Sequence, residues 1–247
     1  MPRLSEHPDA PDAALRVRGP DLPARRAGRA FFLRPTEQVG RALLGSWLVR
    51  RWRGALYGAR IVETEAYLGE EDRAAHSFGG RRTPRVEPMY GRGGLLYVFA
   101  VYGMHFCANV VTRRAGVAQA VLIRAAEHPG LAPGFLRGPA RLCRAFGITG
   151  ADSGRDLVGA GEFEIRLGPV EETRVENSPR IGVDYAGEAR EWPLRFAVSG
   201  NPAVSRRPNP SSSTRSPRPA GASSAPGAPR PRGSAKSSRS TSRPRSR

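Results

Sequence analysis

Two carboxylates set two residues apart are the first groups in this chain that could do chemistry. They stand in Arg60-Ile61-Val62-Glu63-Thr64-Glu65-Ala66-Tyr67, a β-rich run that stops at Gly69. As a strand, its period of two puts Ile61, Glu63, Glu65 and Tyr67 on one side and Val62, Thr64 and Ala66 on the other. The two glutamates would then be about 6.6 to 6.8 Å apart along the backbone, close to the spacing of carboxylates that flank a glycosidic bond. A solvated sheet face with Glu63 paired to an arginine would leave the same pattern. Aromatic residues favour the chemical reading. Tyr67, His76, Phe99 and Tyr102 fall in three segments that a hairpin can bring together, and flat rings beside a cationic surface are what a stacked nucleobase requires. Phe99, between Val98 and Ala100, would serve a core equally well, whereas an aromatic at a hairpin tip beside Gly103 is harder to explain by packing. His76 alone reads as a structural histidine. Arg81, Arg82 and Arg85 in the Gly/Pro loop after it read as phosphate contacts or as a solvated cluster.

The elements that must position these groups are mostly strands. Leu95 to Tyr102 and His105 to Val111 flank Gly103-Met104 as a hairpin, and further strands are predicted at Ala120 to Ala125, Glu162 to Leu167 and Leu194 to Val198. Two helices are predicted. Thr36 to Leu48 carries Val39, Leu43, Leu44 and Trp47 at helical spacing, and Gly138-Pro139 opens a short helix that ends near Gly147. This is an α+β pattern: a single domain with a curved, open-barrel-like antiparallel sheet, short packed helices and a protruding β-hairpin.

Charge narrows the partners. The 247 residues hold 40 Lys+Arg against 22 Asp+Glu, a net charge of +18, which makes an acidic or nucleic-acid partner the first to test. From Ser205 onward there are 11 basic residues and no acidic one. Thirteen Ser and eight Pro fill most of the rest, so 207–247 reads as a disordered basic tail. Residues 1–28, rich in Pro, Ala and Arg, read as a disordered leader, which leaves 29–206 as the globular domain. Cys107 and Cys143 lack CxxC or Cys/His spacing, so no disulfide, metal or other cofactor is expected. Glu6, Asp9 and Asp12 stand where a signal peptide needs an apolar stretch, and Leu95 to Val111 is too short and too interrupted to span a bilayer. The expectation is a cytoplasmic protein without membrane contact, nucleoid-associated if bacterial.

The runs RIVETEAYLGEEDRAAHSFGGRRTPR, LYVFAVYGMHFCANVV, AVLIRAAE, GPARLCRAFGI, RIGVDYAGE and PLRFAVSGNPAVSR together resemble the alkyladenine (3-methyladenine) DNA glycosylase family of base-excision repair. The resemblance runs collinearly from Phe31 to about Arg206. It implies that Glu65 is the general base, that Tyr67 stacks on one face of an extruded base, and that His76 and Phe99 close the other face. Tyr102 would enter the minor groove and fill the gap left by the flipped nucleotide. Asn109 would lie at the pocket floor against the exocyclic amine of normal guanine. Arg124 and the main-chain carbonyl of Ile181 would help Glu65 position water, and Glu63 would be structural. The implied partner is double-stranded DNA containing damaged purines, bound by a monomer. Phe99 stands where the family often has Tyr, His105 replaces a usual aromatic, and the stretch from Glu127 to Arg137 is short. Two rivals stand beside this reading. A non-catalytic nucleic-acid-binding module would use the same rings and cations, but a carboxylate among them is a liability for binding alone. A bifunctional glycosylase would need an amine for a Schiff base, and Lys236 is the sole lysine.

Overall fold

The computed structural model describes residues 10–169 and 174–205. Among them, nine strands form one open antiparallel sheet. These are β1 (Arg16–Val17), β2 (Trp47–Trp52), β3 (Ala55–Tyr67), β4 (Leu96–Val101), β5 (His105–Thr112), β6 (Gln119–Glu127), β7 (Phe163–Arg166), β8 (Val175–Ser178) and β9 (Arg195–Val198). The main path is β4-β5-β6-β3-β2-β7, with β1 and β9 also on β3 and β8 on β9. The fold class is the expected α+β one. The basic tail lies outside the described residues. Among the described residues no helix is long and apolar enough to cross a membrane.

At thirteen residues, β3 is the strand on which the sheet is assembled. It leaves β2 through a two-residue turn in which Arg53 and Gly54 both have positive φ (46° and 79°), the twist that suits a tight hairpin. Its first half pairs with β1 and β2, and its second half lies between β6 and β9. Three helices, α1 (Arg29–Phe32), α2 (Thr36–Leu43) and α3 (Pro139–Phe146), complete the domain. The core contains Phe32, Leu43, Leu48, Val62, Ile123, Phe146 and Phe196, all essentially without solvent contact. Gly40 of α2 is needed for close approach, because a Cβ there would stand 2.9 Å from the Phe196 ring. Its carbonyl accepts a bond from the Thr64 hydroxyl at 2.9 Å, which ties α2 to the core face of β3.

Three expectations need correction. The helix over Thr36 to Leu48 stops at Leu43, because Leu44 turns extended and Gly45 follows at φ 79°, so Trp47 begins a strand. The side assigned to Ile61 is also wrong. Pairing of β3 with β6 slips twice: Val62 is extra on β3, and Arg124 is extra on β6. Ala59 and Ile61 therefore face the core before the bulge, and Val62 and Ala66 face it afterwards. The third concerns residues 10–28, which are not a free leader. Leu15 is fully buried, the Asp12 N–H bonds the Ala145 carbonyl at 2.7 Å, and Arg16 and Val17 pair with β3. Sparse apolar residues suffice here because Leu15, Leu22 and Ala27 each find a preformed surface. Leu15→Ala is expected to destabilise the domain by about 2–5 kcal/mol in urea unfolding. An unchanged midpoint would mean the segment is not packed in solution.

Candidate active site

The two bulges decide what faces what. Beyond Val62, the residues Glu63, Glu65 and Tyr67 point away from the core, and the extra residue on β6 turns Arg124 to the same side. Both glutamates are fully buried, so each needs compensation for lost hydration. Glu65 Oε1 accepts the Ile181 N–H at 2.9 Å and lies 3.5 Å from Arg124 Nη1, while Oε2 accepts the Tyr67 hydroxyl at 3.0 Å. Glu63 is held by Arg195 Nε at 2.6 Å and by the Ser205 N–H at 2.8 Å. It is thus paired to an arginine, but not on a solvated face. Ile181 meets Glu65 through its N–H.

Above Glu65 lies a cavity of about 460 Å³, lined by Tyr67, His76, Tyr97, Phe99, Tyr102, Asn109, Leu122, Arg124, Ile181 and Tyr185. Every sequence-predicted site residue except Glu65 lines it. Glu65 sits one side chain deeper, behind Tyr67, Arg124 and Ile181. His76 Nδ1 is 2.8 Å from the Tyr97 hydroxyl, and its ring meets Phe99 edge-on at 4.4 Å. Asn109 spends its amide hydrogens on the carbonyls of Tyr97 (3.0 Å) and Cys107 (3.3 Å), which leaves its oxygen to the pocket. A second cavity of about 450 Å³ lies between Trp47 and the loop from His128 to Phe135. It lacks the buried carboxylates, so chemistry rather than size selects the first. Among the described residues no cluster of His, Cys, Asp and Glu could hold a metal ion.

Three supporting residues escaped the sequence reading. Tyr97 is two residues before Phe99 on the same strand face, a signal that alternation contains. Arg180 and Asp72 are buried and far apart in sequence, and their pairing has no local signature. Arg180 reaches Asp72 with both terminal nitrogens (2.5 and 2.8 Å) and also bonds the carbonyls of Ala66 and Ala189. Its guanidinium lies 4.8 Å from the Tyr67 ring centroid. Asp72 in turn accepts the N–H groups of Leu68 and Ala74 at 3.0 Å. One buried pair therefore backs the Tyr67 ring and fixes the backbone just before Ile181.

The electrostatics follow from burial. Desolvation pushes the Glu65 carboxyl above its ordinary range, opposed by Arg124, the Ile181 N–H and the Tyr67 hydroxyl. Burial, with Arg85 and Arg81 nearby, lowers His76 to about 4, so its imidazole is neutral near pH 7. At the mouth of the pocket, the hairpin loop holds Tyr102 91% exposed and Met104 73% exposed. Tyr102 has φ 52°, a conformation that disfavours a bulky side chain by roughly 1–2 kcal/mol.

Comparison with known proteins agrees with this geometry. The methylpurine-DNA glycosylase family model matches residues 30–202. A Desulfitobacterium hafniense (strain Y51) protein named "Putative 3-methyladenine DNA glycosylase" is 45% identical over 201 residues, covering 73% of this chain and 98% of the relative. Proteins of the same name from Myxococcus xanthus (strain DK1622) and Methanocella arvoryzae are 47% and 43% identical, covering 73% and 72% of this chain and 94% and 95% of their own lengths. With the match spanning all but the ends of the folded domain, the chain belongs to the methylpurine-DNA glycosylase family.

Proposed function

We propose that this protein is a monofunctional DNA glycosylase that rotates alkylated or deaminated purines out of duplex DNA and hydrolyses the N-glycosidic bond with a water activated by Glu65. The observation that carries this reading is the Glu65 carboxylate, buried beneath an aromatic pocket and held by Arg124 and the Ile181 N–H. A duplex hides the bond to be broken, so the nucleotide must leave the stack at a cost of a few kcal/mol, least where damage already weakens pairing. Tyr102 fills the vacancy as an inserted wedge. The base enters between Tyr67 on one side and His76 with Phe99 on the other, above Asn109. A purine made cationic by alkylation is attracted to the ring faces, and neutral His76 adds no repulsion.

Hydrolysis then needs one base. Among the described residues Glu65 Oε2 accepts only the Tyr67 hydroxyl, so it retains acceptor capacity for water. The water oxygen bonds to C1′, its proton passes to Glu65, and the electron pair of the C1′–N bond departs with the purine. The carboxylate also stabilises the oxocarbenium character that develops on the sugar. Arg124 opposes the upward push that burial gives the Glu65 carboxyl. A cationic methylpurine leaves as a neutral molecule and requires no acid. The product is an abasic site in an intact strand.

The reading is tested with duplex oligonucleotides that each carry one alkylated, deaminated or etheno-adduct purine. Release of none, with tight DNA binding intact, would favour a binding module. Glu65→Gln is expected to abolish release while lesion-DNA affinity stays equal or rises, because the amide keeps the shape without the charge. Retention of more than a few per cent of the single-turnover rate would remove Glu65 from its role. Tyr102→Ala should impair capture of a stacked, paired lesion far more than release from a poorly paired site. Equal losses in every context, single strands included, would make Tyr102 a packing residue. Borohydride should trap no protein–DNA adduct, and the strand should stay whole until hot alkali cleaves it. A trapped adduct surviving Lys236→Ala would overturn water attack.

A further inference from the structure

Arg124 lies between two buried carboxylates and is committed to neither. Its Nε is 3.3 Å from Glu63 and its Nη1 is 3.5 Å from Glu65, both longer than the 2.7–2.9 Å of a good charge-assisted bond. Nε is buried yet makes no hydrogen bond. Glu63 would be the stronger competitor for this arginine if it were free, and it is not. Arg195 occupies Oε1 at 2.6 Å, and the Ser205 N–H occupies Oε2 at 2.8 Å. Arg195 is itself fixed, donating to the Ser178 hydroxyl at 2.9 Å and the Ser205 carbonyl at 2.7 Å. In register, Arg195 stands opposite Glu65, yet its guanidinium reaches diagonally to Glu63 and leaves Glu65 to Arg124. Neither Glu63 nor Arg195 lines the pocket.

We infer that Glu63 and Arg195 form a positioning pair: by saturating Glu63, Arg195 releases Arg124 to serve Glu65. This rests on the assignment of Glu65 as the base. The row Arg195, Glu63, Arg124, Glu65 alternates in sign, and its order decides which carboxylate the shared cation compensates. Other groups near Glu65 are Tyr67 on its own strand, Cys107 on β5, and Arg180 and Tyr185 on the segment between β8 and β9. None of them contacts Glu63, so none offers Arg195 another route.

The sign of the effect differs between the two partners. Glu65 acts as a carboxylate, so the rate falls as pH drops through its titration, and a less compensated Glu65 moves that acid limb upward. Arg195→Gln uncovers Glu63, which then draws Arg124 away, and the limb of single-turnover methylpurine release should rise by about one pH unit. Glu63→Gln removes both the competitor and a like charge, and the limb should fall. The double variant should behave as Glu63→Gln, because Arg195 acts only through Glu63. It also leaves no uncompensated charge, so it remains measurable if Arg195→Gln fails to fold. Arg195→Lys, which keeps the charge but loses the forked contacts, should move the limb upward by less. Unchanged limbs in folded variants, equal shifts in one direction, or an Arg195 effect that persists in the Glu63→Gln background would each overturn the inference. Titration of the Glu65 carboxyl carbon by NMR in the same variants reads these shifts without substrate. Absence of base release would then count against the function alone, and absent carboxyl shifts against the positioning pair alone.

Discussion

A carboxylate with no solvent contact is the constraint from which the rest of this site follows. Burying Glu65 raises its affinity for a proton, and the base role proposed for it requires that the proton be given up. The protein opposes this with one cation, one backbone N–H and one hydroxyl, each supplied by a different length of chain. Each supplier needs its own support. The Ile181 N–H is aimed by Arg180 clasped to Asp72, and that same arginine backs the Tyr67 ring. Buried ion pairs of this kind contribute little net stability. Their value here is geometric, since they fix groups that would otherwise relax away from Glu65.

The contrast between the whole chain and the pocket follows the same logic. The chain carries a net charge of +18, suited to a polyanionic partner, yet the interior around Glu65 is close to balanced. Glu63 and Glu65 face Arg124 and Arg195, and Asp72 faces Arg180. His76, set among exposed arginines, is kept neutral by burial and by those same cations. The exposed cations thus reach into the pocket through His76, while the ions around Glu65 compensate one another.

Alternation and turn residues made much of the fold legible in the sequence. The hairpin around Gly103, the strands from Ala120 and Leu194, and the helix opened by Pro139 all lie close to where the pattern puts them. The face bearing Glu63, Glu65 and Tyr67 was legible too, because three polar or aromatic residues at period two cannot share a core with Val62 and Ala66. A strict period of two cannot register an inserted residue, which is why Ile61 fell on the wrong side. Helical spacing through Trp47 could not reveal that Gly45 breaks the helix first. Arg180 with Asp72 and Arg195 with Glu63 were illegible for a different reason. Each pair joins residues more than a hundred positions apart, and only the assembled sheet brings them together.

The two bulges between β3 and β6 cancel. Before them Arg60 faces Glu127, and after them Ala66 faces Val121, in the register an uninterrupted ladder would have. A paired deletion of Val62 and Arg124 would leave Ile61 facing Ala126, Glu63 facing Ala125 and Thr64 facing Ile123, a regular antiparallel ladder with every other pairing intact. The undeleted strands could also form a regular ladder, with Val62 facing Ala125 and Glu63 facing Arg124, so the irregularity decides where Arg124 points rather than whether it is present. Deleting Val62 would also take a fully buried side chain out of the main core, so the two bulges serve the packing of β3 as well as the orientation of Arg124.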